Sequence, residues 1–321
     1  MTGNENLFYL FIIILNLIII KNFNYISNKI SLYDLPDFKR KIHKEPISLL
    51  GGSLIFFNLS LALIYICLFQ SENFLKAMFY IYSIKTFVIF LIVITSIFLI
   101  GYLDDKFNLS PTKKFFLLFI IIFILIMNDS TTVINKLNFE IFNLQINFLQ
   151  LSLIFSICCY VYLIISLNMY DGVNLQSSIF YLTNFLMINY YIGEINIIIT
   201  SVLISIIFFT YLNLKNKAFL GDSGVFILSF ILGYVYVKLY NNTILFNTAD
   251  IVLFLFLPII DSLRVMFERQ FIMNKPIFIA DKLHFHHKLL KKYELKTTLV
   301  ISSLFVIVPH IIFISPFNLE Y

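Results

Sequence analysis

Ten stretches of the chain are almost wholly apolar, and short polar segments separate them. They run approximately over 7–23, 47–70, 84–103, 113–127, 145–167, 176–192, 195–213, 223–240, 250–268 and 297–317. A helix that crosses a bilayer needs roughly 20 consecutive apolar residues, so this pattern predicts about ten spans with short loops. The fourth stretch is short, and Gly193-Glu194 alone parts the sixth from the seventh, so the count is ten, plus or minus one. Polar residues gather around 34–52, 104–114, 168–176, 215–224 and 261–288. If successive spans alternate in direction, all five clusters fall on one membrane face, and an even count puts both termini on the other. The expected fold is therefore all-α, a polytopic integral membrane protein forming a single multi-span domain over 1–321.

Composition supports this picture. Of 321 residues, 60% are apolar and 13% charged, against about 45–50% and about 25% in soluble domains. With a mean hydropathy of +0.91, too few polar residues remain to cover a water-soluble fold. Cys67, Cys158 and Cys159 all lie in apolar runs, which points to neither a disulfide framework nor a cysteine-based zinc site. The first apolar run has no basic segment before it and no small-residue cleavage site after it, so it is read as a retained helix.

Charge orients the spans, because cytoplasmic loops are enriched in Lys and Arg. The connections that carry the five polar clusters hold 18 Lys and Arg; the alternate ones hold Lys76, Lys85, Lys136 and Lys238. The clusters are therefore expected to be cytoplasmic and both termini extracytoplasmic. A transporter would place ionisable residues near the midplane on both halves of the chain. Asp261, after Pro258, is the exception found, and Arg264 three residues on is its expected ion-pair partner.

Several clusters carry candidate chemistry. Asp104 and Asp105 close the third stretch at a helix C-terminus, where each carboxylate is unfavourable by about 0.3–1 kcal/mol. Adjacent helical residues point about 100° apart, so the two cannot share one partner in the same way. A pair that breaks a local rule without structural gain is a functional candidate. Replacing either by Asn should then cost activity, by about 100-fold or more, without lowering stability. The bland reading is a solvated helix end neutralised by Lys106, Lys113 and Lys114. Asn168 and Asp171 end the fifth stretch three residues apart, on one face if the helix continues, and oxygen ligands of this kind suit magnesium. Gly172 reads equally as a helix stop. Phe219-Leu220-Gly221-Asp222-Ser223-Gly224 opens the eighth helix. There Asp222 or Ser223 reads either as an N-cap or as part of a glycine-flanked diphosphate site. His284-Phe285-His286-His287 suggests phosphate or sugar binding, with zinc or a basic loop on anionic lipid as alternatives. Arg40, Lys41 and His43, ahead of Gly51-Gly52, form a basic stretch that is weak alone. No P-loop, dinucleotide-binding or hydrolase-elbow motif occurs, and nothing points to nucleic acid.

Taken in order, these motifs resemble the polyprenyl-phosphate N-acetylhexosamine-1-phosphate transferases. The paired Asp104-Asp105, the Asn-x-x-Asp-Gly at Asn168 to Gly172 and the Gly-Asp-Ser-Gly at Gly221 to Gly224 all match. The stretch from Pro258-Ile259-Ile260-Asp261 through Arg264, Arg269 and Asp281 to His-x-His-His is closer to the undecaprenyl-phosphate GlcNAc-1-phosphate branch. The resemblance implies transfer of a sugar 1-phosphate from a UDP-N-acetyl sugar to a polyprenyl phosphate, with release of UMP, at a bacterial plasma membrane. It implies Mg²⁺ (or Mn²⁺) at Asp222 and Asn168, and catalytic work at Asp104, Asp105 and Asp171. Phe219 matches an aromatic that stacks on uracil, and Lys114, His284, His286 and His287 would bind phosphate or sugar. Arg40, Lys41, His43, Asn174 and Arg269 complete the expected substrate-binding set. A homodimer is compatible with all of this. Two departures stand out. The family's Asp-Gly-x-Asp-Gly-Leu-Ala reads here Asp171-Gly172-Val173-Asn174-Leu175-Gln176-Ser177, and the proline before Gly51-Gly52 is missing. The sugar is thus left open among GlcNAc, QuiNAc, FucNAc and related donors. A cytoplasm-facing transporter and an inactive scaffold of the same fold are the rival readings.

Overall fold

The computed structural model describes residues 3–36, 43, 45–69, 83–140, 143–193, 195–243, 245–278 and 281–314. Arg40 and Lys41 lie outside the described residues. The described residues form a helical bundle with two small two-stranded ribbons. In order the elements are α1 (Gly3–Lys21), α2 (Phe23–Ile30), β1 (Tyr33–Asp34), β2 (Ile47–Ser48), α3 (Gly51–Phe69), α4 (Ile84–Phe107) and α5 (Pro111–Asn128). Then come β3 (Lys136–Phe139), β4 (Leu144–Asn147), α6 (Ser152–Tyr170), α7 (Gln176–Ile192), α8 (Ile197–Leu214) and α9 (Gly221–Asn242). The last are α10 (Thr248–Phe254), α11 (Phe256–Phe267), α12 (Phe285–Leu290) and α13 (Leu295–Ile314).

Each of the ten apolar stretches contains a helix, although the fifth opens in β4 and turns α-helical only at Ser152; among the described residues 8 helices are long and apolar enough to cross a membrane. Two stretches fall short of that length. α7 has 17 residues. The ninth stretch breaks at Leu255 into α10 and α11. Pro258 explains the break, because its ring cannot sit over the carbonyl four residues earlier, that of Phe254, nor donate to it. The second stretch also differs from expectation. Residues 47–48 form β2, paired with β1, and the helix starts only at Gly51.

α9 is the axis of the bundle. It is apolar on every face, and 89% of its spanning window is buried against α4, α6 and α3, as a helix without a polar stripe must be. α5 is the opposite case: Phe116, Ile120, Phe123 and Ile124 point outward, where lipid covers them. Gly101 lets α4 approach α9 closely, since a Cβ there would lie 2.4 Å from Ser223 Cα. Buried amides join helices where lipid offers no partner. Asn16 and Asn58 exchange hydrogen bonds of 2.7 and 3.1 Å between α1 and α3, a link worth about 1–2 kcal/mol at most.

Asp104, Lys114, Asn168 and Asp222 all lie at one end of this bundle. At the other end Lys238, near the C-terminus of α9, is fully buried and pairs at 2.6 Å with Asp129, which caps α5. Sequence position had placed Lys238 among the outer loop cations. The Asn241 side chain donates to the carbonyls of Thr131 and Val133, and Tyr240 holds the β3–β4 ribbon through the carbonyl of Lys136.

Candidate active site

The turn between α4 and α5 builds the first half of the site. Asn108 adopts a left-handed conformation (φ 51°), which Asn tolerates better than most residues. The chain folds back, so Leu109 N–H donates to Asp104 Oδ1 at 2.7 Å. Pro111 starts α5, and Lys114, one turn in, reaches Asp104 Oδ2 at 2.5 Å. The same ammonium lies 3.3 Å from Asp222 Oδ2 in the first turn of α9. Asn168, near the end of α6, donates to Asp222 Oδ1 at 2.8 Å. Four helices thus meet through one lysine, two carboxylates and one amide. Among the described residues, Asp104 pairs with Lys114 and not with Lys106 or Lys113.

Asp105 points elsewhere, as its 100° offset from Asp104 requires. Its Oδ1 accepts from Asp222 N–H at 2.7 Å, and its Oδ2 accepts from Ser223 N–H at 3.1 Å and Ser223 Oγ–H at 2.7 Å. It caps α9 from a neighbouring helix. The N-cap position of α9 is Leu220, without a side-chain cap bond, so neither Asp222 nor Ser223 caps the helix as the sequence pattern suggested. Gly221 makes this possible: its φ is +71°, and a Cβ would stand 2.7 Å from Asp105 Oδ2. The C-terminal end of α4, negative by its peptide dipoles, abuts the positive N-terminal end of α9, which offsets the cost of the carboxylates. Asp105 therefore has the structural gain that the sequence argument denied it.

α6 stops at Tyr170, and Asp171 is its C-cap, outside the helix. Asn168 and Asp171 do not share a face or a partner: Asp171 Oδ1 accepts from Ser177 Oγ–H at 2.6 Å. Burial pushes the Asp171 carboxyl up to about 6, and the charge of Asp222 adds to this. Asn174 donates to Asn216 Oδ1 at 2.5 Å. Leu175 stands where the family motif has its second glycine, with φ +69°, and its N–H donates to Asn213 Oδ1 at 2.7 Å. A leucine in the left-handed region is strained.

The histidine loop reaches the same region through its second member. His286 is buried so close to Gly172 that a Cβ there would lie 2.2 Å from His286 Nε2. Burial, then the neighbouring His287 and His284, hold the His286 imidazole down to about 3, so it is neutral near pH 7. His287 tilts against it, ring centroids 4.4 Å apart. His284 and Arg269 instead form a buried frame. His284 Nδ1 lies 2.9 Å from Asp261 Oδ2, and Arg269 grips Asp281 with Nε at 2.9 Å and Nη2 at 3.0 Å. Arg264 pairs with Asp261 at 2.7 Å, as expected from the sequence. Phe219 is held between Ser48 and Gly51, its N–H donating at 2.8 Å and its carbonyl accepting at 3.1 Å, with His43 beside its ring.

Sequence reasoning missed Ser177 and the Leu109 N–H, which hold Asp171 and Asp104, and Asn213, which holds the Leu175 backbone; it named Ser223 but not its bond to Asp105. Ser223 and Ser177 were visible as polar residues inside the motifs; Leu109 carried no signal. Among the described residues no three acidic, histidine or cysteine side chains converge as a metal cluster. The donor set Asp222, Asn168 and Asp104 is all oxygen, which suits a hard divalent cation.

Residues 86–240, from α4 through most of α9, match the family model for glycosyl transferase family 4. This match, over just under half of the chain, supports a transferase of that kind. It takes in Asp104, Asp105, Lys114, Asn168, Asp171 and Asp222, while Arg269 and the histidine loop lie beyond it. No curated protein gives a significant match to the chain.

Proposed function

We propose that this transferase moves a sugar 1-phosphate from a UDP-N-acetylhexosamine to polyprenyl phosphate at the cytoplasmic membrane face. An oxygen of the lipid phosphate bonds to the β-phosphorus of the donor. The bond from that phosphorus to the bridging oxygen breaks, and UMP leaves with the electron pair. A polyprenyl diphospho-sugar remains in the membrane, the first membrane step of a cell-envelope glycan. The observation that carries this reading is the junction of α4, α5, α6 and α9 through Lys114, Asp104, Asp222 and Asn168. Such a transfer asks the protein mainly for positioning and charge stabilisation.

Lys114 supplies a cation that can meet diphosphate oxygens. Asp222 and Asn168 would hold Mg²⁺ (or Mn²⁺), which when bound neutralises the diphosphate and stabilises charge on the departing UMP. Asp104 has one oxygen on the Leu109 N–H and the other on Lys114, so it can orient the lysine or take a proton from the lipid phosphate. Asp105 keeps Asp222 in place through the start of α9. His286, neutral and packed on the Asp171-Gly172 turn, suits a hydrogen bond to sugar or phosphate. The 18 Lys and Arg on the site face support a cytoplasmic, UDP-sugar-accessible side.

The test is incubation of the purified full chain with polyprenyl phosphate, Mg²⁺ and a panel of UDP-sugars, with UMP as readout. UMP release that requires both lipid and one N-acetylated donor is expected. Absence of UMP from every donor overturns the proposal.

A further inference from the structure

His43 belongs to a short basic stretch that looks unremarkable in sequence, yet its ring is fixed at both ends. Nε2 lies 2.9 Å from Asp34 Oδ2 and Nδ1 lies 2.8 Å from the Glu45 carbonyl oxygen. Both ring nitrogens are therefore engaged, one by a side chain and one by the backbone. Only 11% of the side chain is exposed. The ring stands 5.2 Å from that of Phe219, at 72°, an edge-to-face arrangement.

The contacts around these two rings close on themselves. Asp34 is in β1 and pairs with Ile47 of β2; Tyr33 pairs with Ser48. Ser48 in turn accepts the Phe219 N–H at 2.8 Å and bridges Ala218, while Gly51 donates to the Phe219 carbonyl at 3.1 Å. The ribbon and the start of α3 therefore hold Phe219 by its backbone on both sides, and His43 packs against its ring. An aromatic side chain that must stack on a planar ligand gains affinity when its rotation is already restricted.

We infer that His43 is a positioning residue, which fixes the Phe219 ring for stacking on the pyrimidine base of the nucleotide donor. This rests on the transferase reading above. It assigns His43 an action through Phe219 and not a contact with the substrate.

The test is isothermal titration of UMP into the detergent-solubilised full chain, for wild type, His43→Ala, Phe219→Ala and the double variant. Freezing one side chain is worth roughly three- to tenfold in affinity, so His43→Ala should weaken UMP by that factor. In the Phe219→Ala background the same change should have no further effect. In turnover, KM for the UDP-sugar should rise while kcat stays within about twofold. Asp34→Asn, which keeps the imidazole and loosens one end of it, should give a smaller loss of the same kind. Additive losses in the double variant would mean that His43 meets the nucleotide itself, and unchanged UMP affinity in His43→Ala would mean that it does neither; each overturns the inference. If wild type binds no UMP and Phe219→Ala changes nothing, the transferase reading fails first. If Phe219→Ala weakens UMP and His43→Ala does not, the positioning role alone fails. Melting temperatures of all variants separate these outcomes from misfolding.

Discussion

Asp105→Ala is the perturbation on which function and stability should fall together. The side chain satisfies two backbone N–H groups at the start of α9 and the Ser223 hydroxyl. Removing an N-cap acceptor costs about 0.5–2 kcal/mol. Loss of a negative charge at a partly buried helix N-terminus adds up to about 2 kcal/mol. A total of roughly 1–4 kcal/mol follows, which is several degrees of melting temperature. The released first turn carries Asp222, and a displacement of about 1 Å at a reacting centre costs on the order of 100-fold in rate. Asp105→Asn should do less harm, because its amide oxygen can still accept from Asp222 N–H. Asp104→Asn should differ in kind: Leu109 N–H keeps its acceptor, Lys114 keeps Asp222, and the loss should be mainly in turnover. Thermal melts and UMP release on the three purified variants decide this. If Asp105→Ala melted like wild type yet lost more than about 10⁴-fold in turnover, Asp105 would act on the substrate and the capping argument would be refuted.

Further outcomes follow from the same geometry. Gly172→Ala places a carbon 2.2 Å from His286 Nε2, so it should lower both melting temperature and turnover, and His286→Ala in the same chain should restore the melting temperature. The buried His286 has its folded-state value held down to about 3 from the ordinary 6.5. Between these values the unfolded chain binds more protons, so stability should rise with pH through this window and be lost as pH falls; His286→Phe should flatten the melting-temperature profile there. Leu175, at φ +69°, should tolerate Gly with a gain of up to about 1 kcal/mol, since left-handed strain is relieved. Leu175→Val, measured by the same melts, should lose at least about 1 kcal/mol because a β-branched side chain fits that region worst. Cysteine-accessibility labelling should find 24–46, 104–112, 214–222 and 270–296 cytoplasmic; labelling of residues near Lys282 from outside would reverse the topology.

The ends of the helices were legible in outline because they depend on short-range rules. Apolar runs in a bilayer must close their own backbone hydrogen bonds, so each became helical. Pro258 marked a disturbance in the ninth run, and the i to i+3 spacing of Asp261 and Arg264 announced an ion pair that is present at 2.7 Å. The start of α3 was misjudged by four residues because Ile47 and Ser48 are claimed by partners at Tyr33, Asp34 and Ala218, which no local pattern reveals.

By itself the sequence determined an all-helical membrane bundle, one face rich in Lys and Arg, and a set of polar motifs placed at helix ends. Those follow from hydropathy, charge counting and periodicity, which are properties of neighbours along the chain. The tertiary structure alone decided what each polar group does. Asp104 and Asp105 are chemically identical and adjacent, yet one meets Lys114 and the other the start of α9. Asn168 serves Asp222 and not Asp171, and Lys238 lies buried against Asp129 instead of in a loop. In each case a charge or amide too costly to bury alone is settled by the nearest group of opposite character. That group lies 50 to 120 positions away in the chain for most of these pairs and is brought near only when the helices pack.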